Sequence, residues 1–257
     1  VLFVVPLVWM VLSSLKTAPE VFARPFHWLP ARVQWQNYAT VWMNEEASML
    51  RAFANTLYIA LFSIIGQMFI SSLAAYSFAK INFKGKQVVF MLFLSSMMVP
   101  SQLTIIPRFM LFKTIGLYNN LWAIILPAFF GATSIFMLRQ FYMGLPNDLI
   151  EAAKIDGAGH LRIFLRIMLP LTKAALMSLI ILAFISSWNE YMAPLIFLVK
   201  KELYTVSQNI QWYMLDEFKE HNLTMAAATS AIVPVVILFI VGQKYFVEGI
   251  ATSGVKG

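Results

Sequence analysis

The sequence of 257 residues contains no cysteine and few charged side chains. Without cysteine the chain cannot form a disulfide, an iron–sulfur cluster, a thiolate zinc site or a thiol nucleophile. Charged residues make up 12% of the chain, whereas soluble domains carry about 25%. Hydrophobic residues make up 60%, and the mean hydropathy is +0.73. This balance excludes a water-soluble globule, a disordered chain and a fibrous chain, and it indicates a membrane protein.

Patterns typical of catalytic or metal sites are also missing. The three histidines, His27, His160 and His221, are far apart in the sequence, and the chain has no nucleophile–base set, metal-spaced histidine pair or phosphate-binding glycine loop. Basic residues flank the apolar stretches instead of clustering with aromatic residues, which argues against nucleic-acid binding. No internal repeat or linker appears. The sequence therefore predicts one domain over residues 1–257, with no catalytic residue and no metal site.

Long uncharged stretches predict the membrane spans. A helix needs about 20 apolar residues to cross the hydrocarbon core. On this basis four spans are predicted, at residues 52–79, 87–107, 119–139 and 223–243. A fifth, at 170–194, has a shorter uncharged stretch, so either Lys173 extends towards the interface or Glu190 lies below the membrane surface in a water-filled vestibule. Residues 1–15 are interpreted as the distal half of a first span. The predicted fold class is all-α and polytopic, with six transmembrane helices of which the first is incomplete at its N-terminus.

The distribution of basic residues predicts the orientation. If the N-terminus is inside, the segments 80–87 and 139–173 and the tail after residue 243 face the cytoplasm. Lysine and arginine are denser in these segments than in the longer opposite loops, as expected for the cytoplasmic side. Both termini are therefore predicted to be cytoplasmic.

The segment between the fourth and fifth spans predicts a short helix. Asp148 followed by Glu151 has the form of a capping box, which favours a helix start. Gly157 can adopt the left-handed conformation that ends a helix. Two helical turns are marginally stable alone in water, so the helix over 149–156 is expected to pack against another surface. The alternative is a solvated loop that merely joins two spans.

This segment also carries a family resemblance. Its residues fall at fixed spacing: Glu151-Ala152-Ala153, Gly157, Ile167, Leu169 and Pro170. The pattern resembles the signature loop of permeases from binding-protein-dependent ATP-binding-cassette importers. The resemblance implies that the loop 146–169 contains the coupling helix, which rests in a cleft on the cytoplasmic ATPase subunit. The contact residues that it implies are Leu149, Glu151, Ala152, Ala153, Asp156, Gly157 and Ala158.

Other segments are similar to the carbohydrate branch of this family, the maltose and glycerol-3-phosphate type: Ser13–Thr17, Asn55-Thr56, Ala74–Tyr76, Trp188–Glu190 and Gly254–Gly257. The resemblance implies a subunit of the bacterial cytoplasmic membrane that moves a sugar or related polar solute inward by alternating access. The implied partners are a second permease subunit of different sequence, two ATPase subunits, an extracytoplasmic solute-binding protein and membrane lipid. ATP and magnesium belong to the ATPase subunits, so this chain is expected to hold no cofactor and to catalyse nothing. The C-terminal tail is expected to reach between the ATPase subunits.

Polar residues within the spans are candidates for the solute path. Trp188, Asn189, Glu190 and Tyr191 are predicted at the outer end of the fifth span, and Gln67 and Tyr76 on the second. The alternatives are an aromatic belt for the first group and helix packing for the second. Two other functions remain open. An ion-coupled secondary transporter usually has acidic residues in its spans, and the four long uncharged stretches contain none. An intramembrane enzyme needs a set of catalytic residues, which the sequence does not show.

Overall fold

The computed structural model describes residues 3–215 and 220–254, with side chains up to residue 243. Within those residues the chain is helical and has no β-strand, which confirms the all-α fold class. The α-helices are α1 (Val5–Ser14), α2 (Ala18–Val21), α3 (Gln36–Met43), α4 (Met49–Lys80), α5 (Lys86–Ser96), α6 (Ser101–Thr114), α7 (Trp122–Ala128), α8 (Ala132–Gly144), α9 (Asp148–Ile155), α10 (His160–Ile163), α11 (Leu169–Leu171), α12 (Lys173–Trp188), α13 (Met192–Phe197), α14 (Val206–Leu215) and α15 (His221–Gly254). A π-helix at Phe164–Met168 joins α10 to α11, and a short 3₁₀-helix lies at Lys201–Leu203.

Helix α4 is the central element of the fold. It packs against α7, α8, α12 and α14. Its 32 residues correspond to a length of roughly 48 Å at 1.5 Å per residue, which exceeds the hydrocarbon core. Ser71 and Ala75 of α4 are fully buried where neighbouring helices pack against it. Small side chains allow helices to approach closely in a membrane.

Two of the apolar segments are bent instead of straight. The sequence predicts one span over 87–107, whereas α5 and α6 meet at 94°. Pro100 lies at this bend, as the N-cap residue of α6, and proline disfavours the helical conformation of the residue before it. A second bend of 76° separates the helical segment His160–Leu171 from α12. Pro170 lies just before this bend and has no N–H to donate to the preceding turn.

Three helical segments are long and apolar enough to cross a membrane: Met49–Lys80, Trp122–Gly144 and His221–Gln243. Counting each bent pair as one span raises the number to five among the described residues. The ten-residue α1 is apolar but short, so the count of six remains a prediction. The fifth segment also ends earlier than expected, since α12 stops at Trp188 and the separate helix α13 follows.

One hydrophobic cluster determines how the segment after α8 is held. This inner cluster contains Tyr76 from α4, Tyr142 from α8, Ile150 and Ala153 from α9, and Phe164 from the π-helix. The short helix α9 is therefore packed against the membrane helices. The prediction for the C-terminal tail falls partly on residues 255–257, which lie outside the described residues.

Candidate functional site

A polar cavity of about 630 Å³ lies between α4, α6, α12 and the segment that joins α7 to α8. Cavities of about 300–1,000 Å³ accommodate small-molecule ligands. Its polar lining includes Gln67, Gln102, Arg108, Asn189, Glu190 and Tyr191. Four of the predicted path residues are thus brought together, namely Gln67, Asn189, Glu190 and Tyr191.

The end of α12 positions two of these side chains. Asn189 is the C-cap residue, and its Nδ2 donates a hydrogen bond of 2.8 Å to the carbonyl oxygen of Ile185. Glu190 accepts a hydrogen bond of 3.0 Å from the backbone N–H of Ala193 through Oε1. Since unpaired N–H groups at a helix start favour negative charge, the first turn of α13 fixes the Glu190 carboxylate at the cavity wall.

Gln67 lies against Gly131, which also lines the cavity. Its Nε2 donates a hydrogen bond of 3.0 Å to Oγ of Ser134. A Cβ atom added at Gly131 would lie 2.2 Å from this Nε2, so any other residue at this position forces the amide to move. Gly131 therefore provides the space that Gln67 occupies.

Arg108 is a cavity residue that the sequence analysis missed. It lies in α6, and its guanidinium carbon is 5.0 Å from the centroid of the Phe197 ring. Its Nε atom is buried and has no hydrogen-bond partner. In the sequence the charge of Arg108 marks the end of the uncharged stretch 87–107, which indicates a span boundary. A charged residue inside the helical run after Pro100 is the signal that could have identified it.

Asn119 holds the segment that carries Phe197. Its φ is +58°, and its backbone N–H donates a hydrogen bond of 2.9 Å to the carbonyl oxygen of Phe197. Its Oδ1 accepts hydrogen bonds from the N–H groups of Val199, at 2.7 Å, and Lys200, at 3.2 Å. Asparagine suits this role because it tolerates the left-handed conformation.

Replacing Asn119 by alanine is expected to lower the free energy of unfolding by about 2–3 kcal/mol. Two hydrogen bonds of about 1 kcal/mol each are lost, and alanine is strained at positive φ. Thermal unfolding in detergent measures the effect. Asn119→Asp is the control, because it keeps the acceptor oxygen and is expected to unfold close to the wild-type temperature. Equal stability of Asn119→Ala and the wild type would show that this contact does not hold α13.

Two predicted path residues do not line the cavity. Trp188 is buried, with its Nε1 donating a hydrogen bond of 3.0 Å to the carbonyl oxygen of Ala231 and its ring stacked on Phe184. Tyr76 is buried in the inner cluster, and its hydroxyl lies 3.1 Å from Nδ1 of His160. Neither residue is therefore brought to the cavity with the other four, and their place on a solute path stays a prediction. Trp188 joins α12 to α15, and Tyr76 joins α4 to α10.

Helix α9 ends as the sequence predicts but begins differently. Gly157 has a φ of +78°, its N–H bonds to Lys154 at 3.0 Å, and the N–H of Ala158 bonds to Ala153 at 2.9 Å. These are the two hydrogen bonds of a Schellman motif. The predicted capping box is absent, because Asn147 is the N-cap residue and makes no side-chain cap.

The exposure of α9 divides its residues into two faces. Ile150 and Ala153 are 5% and 8% exposed and pack into the inner cluster, with Ala158 partly buried beside them. Ile155 is 86% exposed. The remaining predicted contact residues, Leu149, Glu151, Ala152, Asp156 and Gly157, are all exposed.

Two of the predicted contact residues differ from the others in exposure. Ala153 is turned towards this chain's own core and Ala158 is partly buried beside it, so the contact predicted for these two residues stays a prediction. Ile155 was not identified from the sequence, although an apolar residue beside the motif was a usable signal. We define the free face of α9 as Leu149, Glu151, Ala152, Ile155 and Asp156.

Helix α9 is tied to the central helix by a lysine. Nζ of Lys80, the last residue of α4, donates hydrogen bonds to the carbonyl oxygen of Leu145, at 2.7 Å, and to Oδ1 of Asn147, at 2.6 Å. The Asn147 side chain is thereby used for Lys80 instead of capping α9. Lys80 therefore links α9 to α4, and the inner cluster, which includes Leu179 of α12, links α9 to α12.

No group of three or more histidine, aspartate or glutamate side chains that could hold a metal ion occurs among the residues that the structure describes. Metal chemistry therefore has no assigned residues in this part of the chain.

Comparisons with known proteins agree with this architecture. Residues 67–252 match the family described as the binding-protein-dependent transport system inner membrane component. The chain is 34% identical to the arabinooligosaccharides transport system permease protein AraQ of Bacillus subtilis, over 100% of this chain and 92% of that protein. It is 30% identical to the sn-glycerol-3-phosphate transport system permease protein UgpE of Escherichia coli, over 91% of this chain and 85% of that protein.

A solved structure has the same fold. A chain of a bacterial ABC transporter involved in the import of the acidic polysaccharide alginate superposes with a TM-score of 0.85, covering 95% of this chain and 91% of that chain at 23% identity. The family match covers most of the sequence, and the match to AraQ covers all of it. The chain therefore belongs to the family of binding-protein-dependent transport system inner membrane components, the multi-pass permease subunits of ATP-binding-cassette importers, which catalyse no reaction themselves.

Proposed function

We propose that this chain is one of two permease subunits of an ATP-driven importer and that it moves a sugar or related polar solute inward. The observation that carries the proposal is the division of α9 into two faces. One face packs into this chain's own helices, and the other presents the 86% exposed Ile155 to a partner. Relatives described as permeases for arabinooligosaccharides, for melibiose, raffinose and stachyose, and for sn-glycerol-3-phosphate support the solute class.

The partner of the free face is an ATPase subunit in the cytoplasm. An apolar side chain such as Ile155 is stabilised by about 1.5–3 kcal/mol when it is fully buried, so a cleft that covers it binds α9. Two such ATPase subunits hold ATP and magnesium and serve this chain and a second permease subunit of different sequence. This chain supplies no group to ATP hydrolysis.

Closure of the ATPase subunits moves α9, and the contacts of α9 carry that movement inward. Lys80 links it to α4, and the inner cluster links it to the π-helix and α12. Both α4 and α12 contribute residues to the polar cavity. A shift of α12 relative to α4 therefore changes which end of the cavity is open, which is alternating access.

The proposed location is the bacterial cytoplasmic membrane, with both termini in the cytoplasm. This orientation puts α9 on the cytoplasmic side, where the ATPase subunits lie. Lysine and arginine are denser on that side, as is typical of membrane proteins. A solute-binding protein delivers the solute from the other side. Membrane lipid surrounds the exposed apolar surface of the spans.

Copurification tests the proposed assembly. The tagged chain, extracted in mild detergent from cells that express its partner genes, is expected to carry an ATPase subunit and a second permease. Right-side-out membrane vesicles with the solute-binding protein outside are then expected to take up labelled oligosaccharides only when ATP is supplied inside. Uptake driven by an ion gradient, with no ATPase subunit copurifying, would support a secondary transporter instead.

A further inference from the structure

Two side chains of opposite charge line the polar cavity. Arg108 comes from α6, and Glu190 comes from the turn after α12. Among the described residues, however, the only ion pair with an N–O distance of 4.0 Å or less joins Lys201 to Glu46. Arg108 and Glu190 therefore line the same cavity without direct contact.

Each of the two groups has hydrogen-bonding capacity left over. The buried Nε–H of Arg108 has no acceptor. Glu190 uses Oε1 for the N–H of Ala193, and its second carboxylate oxygen is a further acceptor at the cavity wall. The buried N–H of Arg108 is costly without an acceptor, and the partly exposed Glu190 carboxylate can accept from a hydroxyl of the occupant. The cavity therefore favours an occupant that accepts from Arg108 and donates to Glu190.

A hydroxyl group meets both requirements, because it is one donor and two acceptors. A carboxylate or phosphate accepts from Arg108 but is repelled by Glu190, and an ammonium group has the opposite problem. Amide side chains at Gln67, Gln102 and Asn189 add further neutral donors and acceptors to the wall. An uncharged polyhydroxylated solute matches this wall better than an ion of either sign.

We propose that Arg108 and Glu190 act together as a charge filter that admits uncharged, hydroxyl-rich solutes and disfavours anions and cations alike. The proposal rests on the proposed function of the cavity as part of the solute path, and it names the class of solute. Removing one charge leaves the other unopposed, so the cavity then attracts ions of one sign.

The absence of cysteine allows a direct test. A single cysteine is introduced at Ser186, which lines the cavity and is exposed, in the full chain expressed with its partners. Its reaction rate in permeabilised membranes is measured with three methanethiosulfonate reagents: neutral 2-hydroxyethyl, anionic sulfonatoethyl and cationic trimethylammonioethyl. The same rates at Thr40→Cys, exposed on α3, provide the reference for each reagent.

Relative to that reference, the neutral reagent is expected to react fastest and the two ions to be slowed alike. Arg108→Gln is expected to raise the cation-to-anion rate ratio about five- to tenfold, and Glu190→Gln to lower it by a similar factor, because each substitution leaves one unit charge unopposed in the cavity. Arg108→Lys keeps the charge and is expected to keep the balanced ratio. The exchange Arg108→Glu with Glu190→Arg is expected to restore it.

A wild-type preference for one ion, or variants that change all three rates equally, would overturn the charge filter. Equal effects of Arg108→Lys and Arg108→Gln would assign Arg108 to packing against Phe197 alone. Because labelling depends on neither ATP hydrolysis nor subunit copurification, failure of the filter is distinguishable from failure of the proposed function. Equal thermal unfolding temperatures of the variants in detergent show that the substitutions leave the chain folded.

Discussion

Ile155→Asp is expected to weaken the association of this chain with its ATPase subunit about 100-fold and to abolish ATP-driven uptake. The side chain is 86% exposed in the isolated chain. Burying an isoleucine fully contributes about 1.5–3 kcal/mol, a factor of roughly 10–150 in affinity. An unpaired carboxylate in the same cleft adds a desolvation cost. Pull-down at graded ATPase concentrations measures the affinity, and vesicle uptake measures transport.

The matched control is Ile155→Leu, which keeps the apolar surface and is expected to change the affinity by less than about threefold. Since Ile155 lies on the free face of α9, both variants are expected to fold with wild-type thermal stability. Wild-type uptake by Ile155→Asp would mean that the free face of α9 does not bind the ATPase subunit.

Gly157→Pro is expected to have an effect of similar size for a different reason. Proline fixes φ near −65°, whereas Gly157 has a φ of +78°. Proline also removes the N–H that bonds to Lys154. The turn that ends α9 is then lost, and the connection to α10 leaves its native path. Loss of copurifying ATPase and at least tenfold lower uptake are expected.

A pair of alanine substitutions separates conformation from side-chain size. Gly157→Ala places a Cβ at positive φ, which costs about 1–2 kcal/mol, and is expected to reduce uptake partially. Gly159 has a φ of −74° and open space around an added Cβ, so wild-type behaviour is expected of Gly159→Ala. Equal effects at the two positions would contradict a role for the left-handed turn.

The sequence predicted α9 because its spacing is local. Gly157 has the left-handed conformation that a helix end favours, and the helix covers two turns as expected. The capping box failed because Asn147 lies at the N-cap and its side chain bonds to Lys80, 67 positions earlier in the chain. Ile150 is buried whereas Ile155 is exposed, and this difference likewise depends on packing between distant parts of the chain. A single motif does not encode such packing.

The bends in the spans were harder to predict. Counting uncharged residues finds the length of an apolar stretch but not its direction, so it predicts a span over 87–107 without the 94° turn between α5 and α6. That error also placed Arg108 at a boundary, although the residue lines the cavity. Only the folded direction of α6 brings Arg108 to the same cavity as Glu190.

Aromatic residues gave the least reliable predictions. Trp188 and Tyr191 are three residues apart, yet Trp188 is 3% exposed in the core and Tyr191 lines the cavity. A tryptophan near the end of a span suits an interfacial belt, a solute path or helix packing. The hydrogen bond from Trp188 to Ala231 on α15 decides between them, and it joins residues 43 positions apart.

Cross-linking at position 155 tests the docking of α9 most directly. In this cysteine-free chain, Ile155→Cys is placed on the free face and Ile150→Cys on the buried face, and each is treated with a short bifunctional thiol–amine reagent in inside-out vesicles that contain the assembled importer. The expected result is a product with the ATPase subunit for Ile155→Cys and none for Ile150→Cys. If the thiol of Ile155→Cys forms no cross-link to the ATPase subunit, or reacts with impermeant reagents only from the extracytoplasmic side, the docking of α9 is contradicted.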